Sequence, residues 1–116
     1  MDYFHEDEMK CKCGCNMDVT EELKEVIVGA RHLAQTPFII NSGARCEAHN
    51  KAVGGTEGSA HTKGLAVDIK ADNNLDRAII HNALCRVGII RFGIYKEFIH
   101  ADIDSTKPTP RMWLGK

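Results

Sequence analysis

Apolar positions change their spacing along the chain, and each change predicts a different element. Leu23, Val26, Ile27, Ala30 and Leu33 recur every three or four residues, the period of a helix with one buried face. The helix is expected to start at Asp18, whose carboxylate can cap free N–H groups with Glu21 three residues on, and to stop before Pro37. Phe38-Ile39-Ile40-Asn41 is a short apolar run that reads as a strand. A polar, glycine-rich stretch follows, from Ser42-Gly43-Ala44-Arg45 to Gly54-Gly55-Thr56-Glu57-Gly58-Ser59. A loop of that length in a compact domain is usually functional or disordered. Residues 65–70 regain strand character, and Asn73 or Asn74 caps a second helix carrying Leu75, Ala78, Ile79, Leu84 and Val87, with Gly88 as its stop. Residues 89–95 and 98–103 predict a hairpin. In its second arm Phe98, His100 and Asp102 share one face, and Ile99, Ala101 and Ile103 the other. Residues 1–17 read as an irregular arm. Helices and strands are segregated along the chain, so the expected class is α+β, a small antiparallel sheet flanked by helices.

The whole of residues 1–116 is expected to form a single domain, and a chain of this size buries roughly two thirds of its unfolded surface. At 43% hydrophobic and 27% charged residues it is globular in composition. A net charge of -1 and the lack of a Lys/Arg cluster argue against a nucleic-acid partner. No apolar run of about 18 residues is present to span a membrane. The acidic start, Met1 to Glu8, lacks the basic and apolar regions of a secretory signal, so synthesis in the cytoplasm without a signal peptide is expected. The five cysteines do not form an evenly spaced disulfide framework, and reduced thiols are the expectation. Cys11, Cys13 and Cys15 admit two readings, a second metal site or merely local thiols. Their spacing is tighter than the usual C-x2-C pairs, and no fourth ligand is obvious. Cys85 lies in a helical apolar pattern and is expected in the core.

The strongest chemical signal is Ser59-Ala60-His61-Thr62-Lys63-Gly64-Leu65-Ala66-Val67-Asp68. A histidine and a carboxylate stand seven residues apart, joined by a glycine turn into a strand on which Ala66 and Asp68 share a face. Glu97-Phe98-Ile99-His100-Ala101-Asp102 supplies a second histidine from a neighbouring strand. Two imidazoles and one carboxylate are usual protein ligands of a catalytic zinc, which keeps its fourth position for water. A single strand histidine is more often an ordinary hydrogen-bonding residue, so the joint pattern carries the inference. His5, His32 and His81 read as surface residues. His49 either lines the groove or meets solvent.

These stretches, with Ser42-Gly43-Ala44-Arg45 and His49-Asn50-Lys51-Ala52-Val53-Gly54-Gly55, resemble the M15 family of zinc D-Ala-D-Ala carboxypeptidases and L-alanyl-D-glutamate peptidases, particularly its compact single-domain branch. The resemblance runs from about Phe4 to Trp113. It implies that His61, Asp68 and His100 hold one catalytic zinc on one sheet face. It implies that Arg45 stabilises a developing oxyanion, a contribution of about 3 kcal/mol; the alternative is a structural salt bridge to Glu47 or Glu57. Glu97, three residues before His100, matches the general base. A regular strand would point it away from His100, so a turn or bulge at residues 95–97 is required. The alternative is an exposed hairpin glutamate. Asp102 is expected to orient a ligand imidazole, Ser59 to hydrogen-bond substrate or the ligand loop, and Trp113 to floor the groove or simply to pack. The implied reaction is metal-assisted hydrolysis of peptidoglycan stem peptides beside a D-amino acid, by a monomer acting on the cell wall, in the manner of phage-encoded lysins. The rival is a non-catalytic or vestigial zinc-binding module of the same fold.

Overall fold

The first helix starts two residues later than its sequence suggests. Thr20, not Asp18, is the N-cap of α1 (Glu21–Ala34): its hydroxyl accepts from Leu23 N at 3.2 Å. Asp18 instead accepts from Val19 N and pairs with Lys24 at 2.6 Å. Threonine wins because its short side chain stands next to the first free N–H groups, whereas Asp18 lies a further two residues upstream. Leu23, Ile27 and Ala30 are buried, Val26 is half-buried, and Leu33 at the far end is exposed.

The computed structural model describes residues 3–115. The strands are β1 (Ile40–Ser42), β2 (Ala66–Lys70), β3 (Arg91–Ile94), β4 (Phe98–Asp102) and β5 (Arg111–Leu114), in one sheet of order β1-β2-β4-β3-β5. Four run antiparallel to their neighbours, as expected. β5 pairs in parallel with β3, so the sheet is mixed. β5 has no clear alternation and follows Pro108 and Pro110, which hides it in the sequence. The apolar run after Pro37 becomes a strand only from Ile40, with an irregularity between Ile40 and Ser42 that sets Ser42 opposite Asp68.

One sheet face packs on α1 and on α3 (Asn74–Arg86), which begins at its N-cap Asn73. Val67, Ile69, Ile99, Ala101 and Phe92 point into that core, with Leu23, Ile27, Ile80 and Leu84 from the helices. The buried stripe of α3 is Ile80, Ala83 and Leu84, whereas Leu75, Ala78 and Cys85 are exposed. The expectation that Cys85 lies in the core is therefore corrected: it follows Leu84 round the helix onto the solvent side. The irregular arm is not loose. Phe4 and Met9 are buried in the same core, and Ala44 N donates to Met9 O at 2.9 Å.

Candidate metal centre

The alternation that sends Val67, Ile69, Ile99 and Ala101 to the core sends Asp68, His100 and Asp102 to the opposite face. Register then aligns them. Ser42, Asp68, His100, Gly93 and Trp113 form one row across all five strands. His61 joins the row from outside the sheet, on a short 3-10 turn (Ala60–Lys63) whose N-cap Ser59 accepts from His61 N at 3.2 Å. Gly64, at φ 71°, ends that turn in a left-handed conformation natural to glycine and leads directly into β2.

His61, Asp68 and His100 each offer one ligand atom, and the three atoms all lie within 4.8 Å of one another. The outer ring nitrogens fix which atoms these are. His61 Nδ1 lies 2.7 Å from Gly43 O, so it carries the proton and donates, leaving the Nε2 lone pair to face Asp68 Oδ1 at 3.1 Å. His100 Nε2 donates to Asp102 Oδ2 at 2.7 Å, leaving Nδ1 to face the same Asp68 oxygen at 3.0 Å. Two lone pairs and a carboxylate oxygen thus converge on one point. Such a set demands a cation or shared protons, and its chemistry fits zinc. Asp102 is the acceptor that orients His100, as such partners commonly do for ligand imidazoles. It is itself fixed by Arg91 Nε at 2.8 Å and by Asp104 N at 3.1 Å.

Burial pushes the Asp68 carboxyl up, but the His100 and His61 hydrogen bonds outweigh it and hold Asp68 at about 2. Burial likewise lowers His100, and its bonds to Asp102 and Asp68 reverse the sign, so it is raised from its ordinary value. Asp68 is therefore a carboxylate at neutral pH, the form a metal requires.

Arg45 follows the buried Gly43-Ala44 step. Its side chain donates to Ser42 Oγ at 2.9 Å, Asn50 Oδ1 at 3.2 Å and Asp68 Oδ2 at 3.3 Å. Asp68 thus presents one oxygen to the histidines and the other to Arg45. Neither Glu47 nor Glu57 pairs with this guanidinium; its acidic partner is Asp68. Asn50 is buried on α2 (Glu47–Ala52), and a Cβ on Gly55 would fall 2.0 Å from its Oδ1, so a glycine there leaves room for the amide.

His61, Asp68, His100, Asp102 and Arg45 line a cavity of about 460 Å³, together with Ser59, Tyr95, Phe98, Arg91, Lys107 and Trp113. Trp113 leans on His100 with ring centroids 5.4 Å apart and donates Nε1–H to Tyr95 Oη at 3.1 Å. It therefore walls the groove. Glu97 is not brought to the cluster. It is exposed in the tight turn between β3 and β4, where Tyr95 N bonds Phe98 O at 3.0 Å, and it is not among the cavity-lining residues. His49 is half-buried and also outside the cavity, and His5 and His32 are exposed. His81 is half-buried, edge-on to Phe92 at 4.6 Å, not a plain surface residue. The sequence places Phe98 on the His100 face by strand alternation but marks no role for it, nor for Tyr95, Arg91 or Asn50; the same alternation could have flagged Arg91.

No curated protein matches the chain at a significant level. The Peptidase M15 family model matches residues 2–102, a span that holds all three candidate ligands, Arg45 and Asp102 and ends before Trp113. That family consists of zinc-dependent metallopeptidases, which agrees with the converging donor set and implies a peptide substrate. Covering most of the sequence, the match establishes that this chain belongs to the Peptidase M15 family.

Proposed function

We propose that the chain is a zinc-dependent peptidase that hydrolyses peptidoglycan stem peptides beside a D-amino acid, as a D,D-carboxypeptidase or an L,D-endopeptidase. One observation carries this reading: His61 Nε2, Asp68 Oδ1 and His100 Nδ1 converge on the wall of an open cavity. When bound there, zinc supplies a Lewis acid for the scissile carbonyl and a means of ionising water near pH 7. The surrounding side chains do the rest. Arg45 keeps N–H groups beyond its three internal bonds and lines the cavity, so it is suited to the oxygen that gains charge as water adds to the carbonyl carbon. Asp102 and Gly43 O hold the two imidazoles in one tautomer throughout. Arg45 and Arg91 on the cavity wall are already paired with Asp68 and Asp102, so Lys107 is the lining cation suited to a carboxylate of an anionic stem peptide.

Hydrolysis adds water across the amide. The C–N bond breaks, the new carboxyl takes the hydroxyl, and one proton must pass to the leaving amine. The family resemblance assigns that proton relay to Glu97, which sits one residue from cavity-lining Phe98. The turn at residues 95–98 would have to swing its carboxylate over the rim. Glu97→Gln should lower kcat by roughly 10²–10⁴-fold with zinc content unchanged; unchanged kcat would remove Glu97 from the mechanism.

The exposed position of Glu97 favours a second reading, a zinc-binding module without hydrolytic activity. Digestion of purified peptidoglycan separates the two. Mass spectrometry of the released fragments, with and without chelator and with His61→Ala as control, should show cleavage by the untreated protein alone. Identical fragments in all three samples would end the peptidase reading. The masses would also identify the bond cut.

A further inference from the structure

A second cluster of ligand-type side chains lies outside the cavity. Cys11, Cys13 and Cys15 in the N-terminal arm meet Cys46, the N-cap of α2, and all four sulfurs lie within 4.8 Å of one another. The geometry points to a second metal centre, a closed four-thiolate zinc site that staples the N-terminal arm to the segment carrying Arg45.

The distances support a shared ion more than paired thiols. Cys11 to Cys13 is 3.4 Å, Cys13 to Cys46 is 3.6 Å and Cys11 to Cys46 is 3.9 Å. A tetrahedral zinc with bonds of about 2.3 Å sets its sulfurs about 3.8 Å apart, within the observed spread. A disulfide would bring two of them to about 2.05 Å. The C-x-C-x-C spacing is tighter than the usual C-x2-C pairs, and an extended chain would spread its three sulfurs apart. Instead the chain coils: Gly14 N bonds Cys11 O at 3.3 Å, and Gly14 and Asn16 take left-handed φ values of 87° and 68°. That turn gathers three sulfurs on one side, and Cys46, distant in sequence, supplies the fourth.

Backbone donors complete the environment. Cys46 N points at Cys11 Sγ and His49 N at Cys46 Sγ, each at 3.4 Å. N–H groups aimed at sulfur stabilise thiolate over thiol. Four protein ligands leave no open position, so the site is structural and has no reaction of its own. Its position suggests what it braces. Cys46 adjoins Arg45, and between Cys11 and the metal centre run two short links. Met9 O accepts from Ala44 N, and Gly43 O accepts from His61 Nδ1. A Cβ on Gly43 would fall 2.2 Å from Met9 O, so arm and loop are in direct backbone contact there.

The test uses the full chain, purified under reducing conditions and reconstituted with cobalt(II) or zinc(II). The wild type should show an intense near-ultraviolet thiolate-to-cobalt charge-transfer band, since histidine and carboxylate ligands produce none. His61→Ala should keep that band and bind one equivalent of metal, which separates this site from the proposed catalytic one. Cys13→Ser and Cys46→Ser should each weaken the band and the metal affinity, and exposed Cys85→Ser should change neither. With zinc bound, a thiol reagent should modify only Cys85 rapidly; after chelation all five cysteines should react. Wild-type protein lacking the charge-transfer band, five reactive thiols in the zinc-loaded protein, or bridged cysteines found by mass spectrometry after reduction would each overturn the proposal.

Discussion

His100 faces a carboxylate at each ring nitrogen, Asp68 at 3.0 Å and Asp102 at 2.7 Å, and the two do different work. Asp68 shares the space a cation would fill, whereas Asp102 lies behind the ring and decides which nitrogen keeps its proton. Asp102→Asn keeps the size of the side chain and removes its charge. Its amide can also turn N–H groups toward His100, which would reverse the tautomer. The zinc affinity of the folded protein should fall about 10–100-fold, read by competition with a chromophoric chelator. Arg91 would lose its buried partner at 2.8 Å in the same variant, so a lower melting temperature should accompany the change. An unaltered affinity would show that His100 does not depend on this acceptor.

At the scale of elements, the site is a product of strand register. Gly93 pairs with His100 on one side and Trp113 on the other, and its missing side chain lets the indole reach the imidazole. A Cβ there would lie 2.6 Å from Trp113 Nε1. Gly93→Ala should therefore displace Trp113, break its bond to Tyr95 Oη and destabilise the fold by about 1–3 kcal/mol in denaturant titration. The parts of the site legible in the sequence were those whose spacing is local. His61 and Asp68 sit on one turn-and-strand unit, and His100 and Asp102 alternate on one strand, so period and residue type sufficed. Cys46 was not legible as a partner of Cys11 because only tertiary folding joins them. Trp113 was half-legible: β5 earns its place by pairing with β3 and not by any pattern of its own. The Asp18 cap failed because two nearby polar residues compete for one role, and backbone position alone decides between them.

Across the whole molecule, the sheet divides two kinds of stability. One face is apolar and rests on helices, while the other is held by charged groups that must stay ionised. The loop after β4 extends that second network. Asp104 is fully buried, accepts from Lys63 Nζ at 2.9 Å and from Thr106 Oγ1 at 2.6 Å, and so ties the turn bearing His61 to the loop that follows β4. Burial alone would raise its carboxyl, but the Thr106 and Lys63 bonds prevail and hold it at about 2. A folded value below the unfolded one of about 3.9 means that its contribution, on the order of 2 kcal/mol, is complete above pH 4 and fades as pH falls toward 2. Thermal melts should show the gap between wild type and Asp104→Asn closing over that interval; a gap independent of pH would contradict the assignment. The indole against His100 has a consequence of a different kind. Trp113 is the only tryptophan in the chain, so all indole emission originates beside the candidate centre. An ion bound at His100 Nδ1 changes the charge lying against the indole ring. Loading the site should change the intrinsic fluorescence of the native protein, a label-free gauge of occupancy already built into its wall.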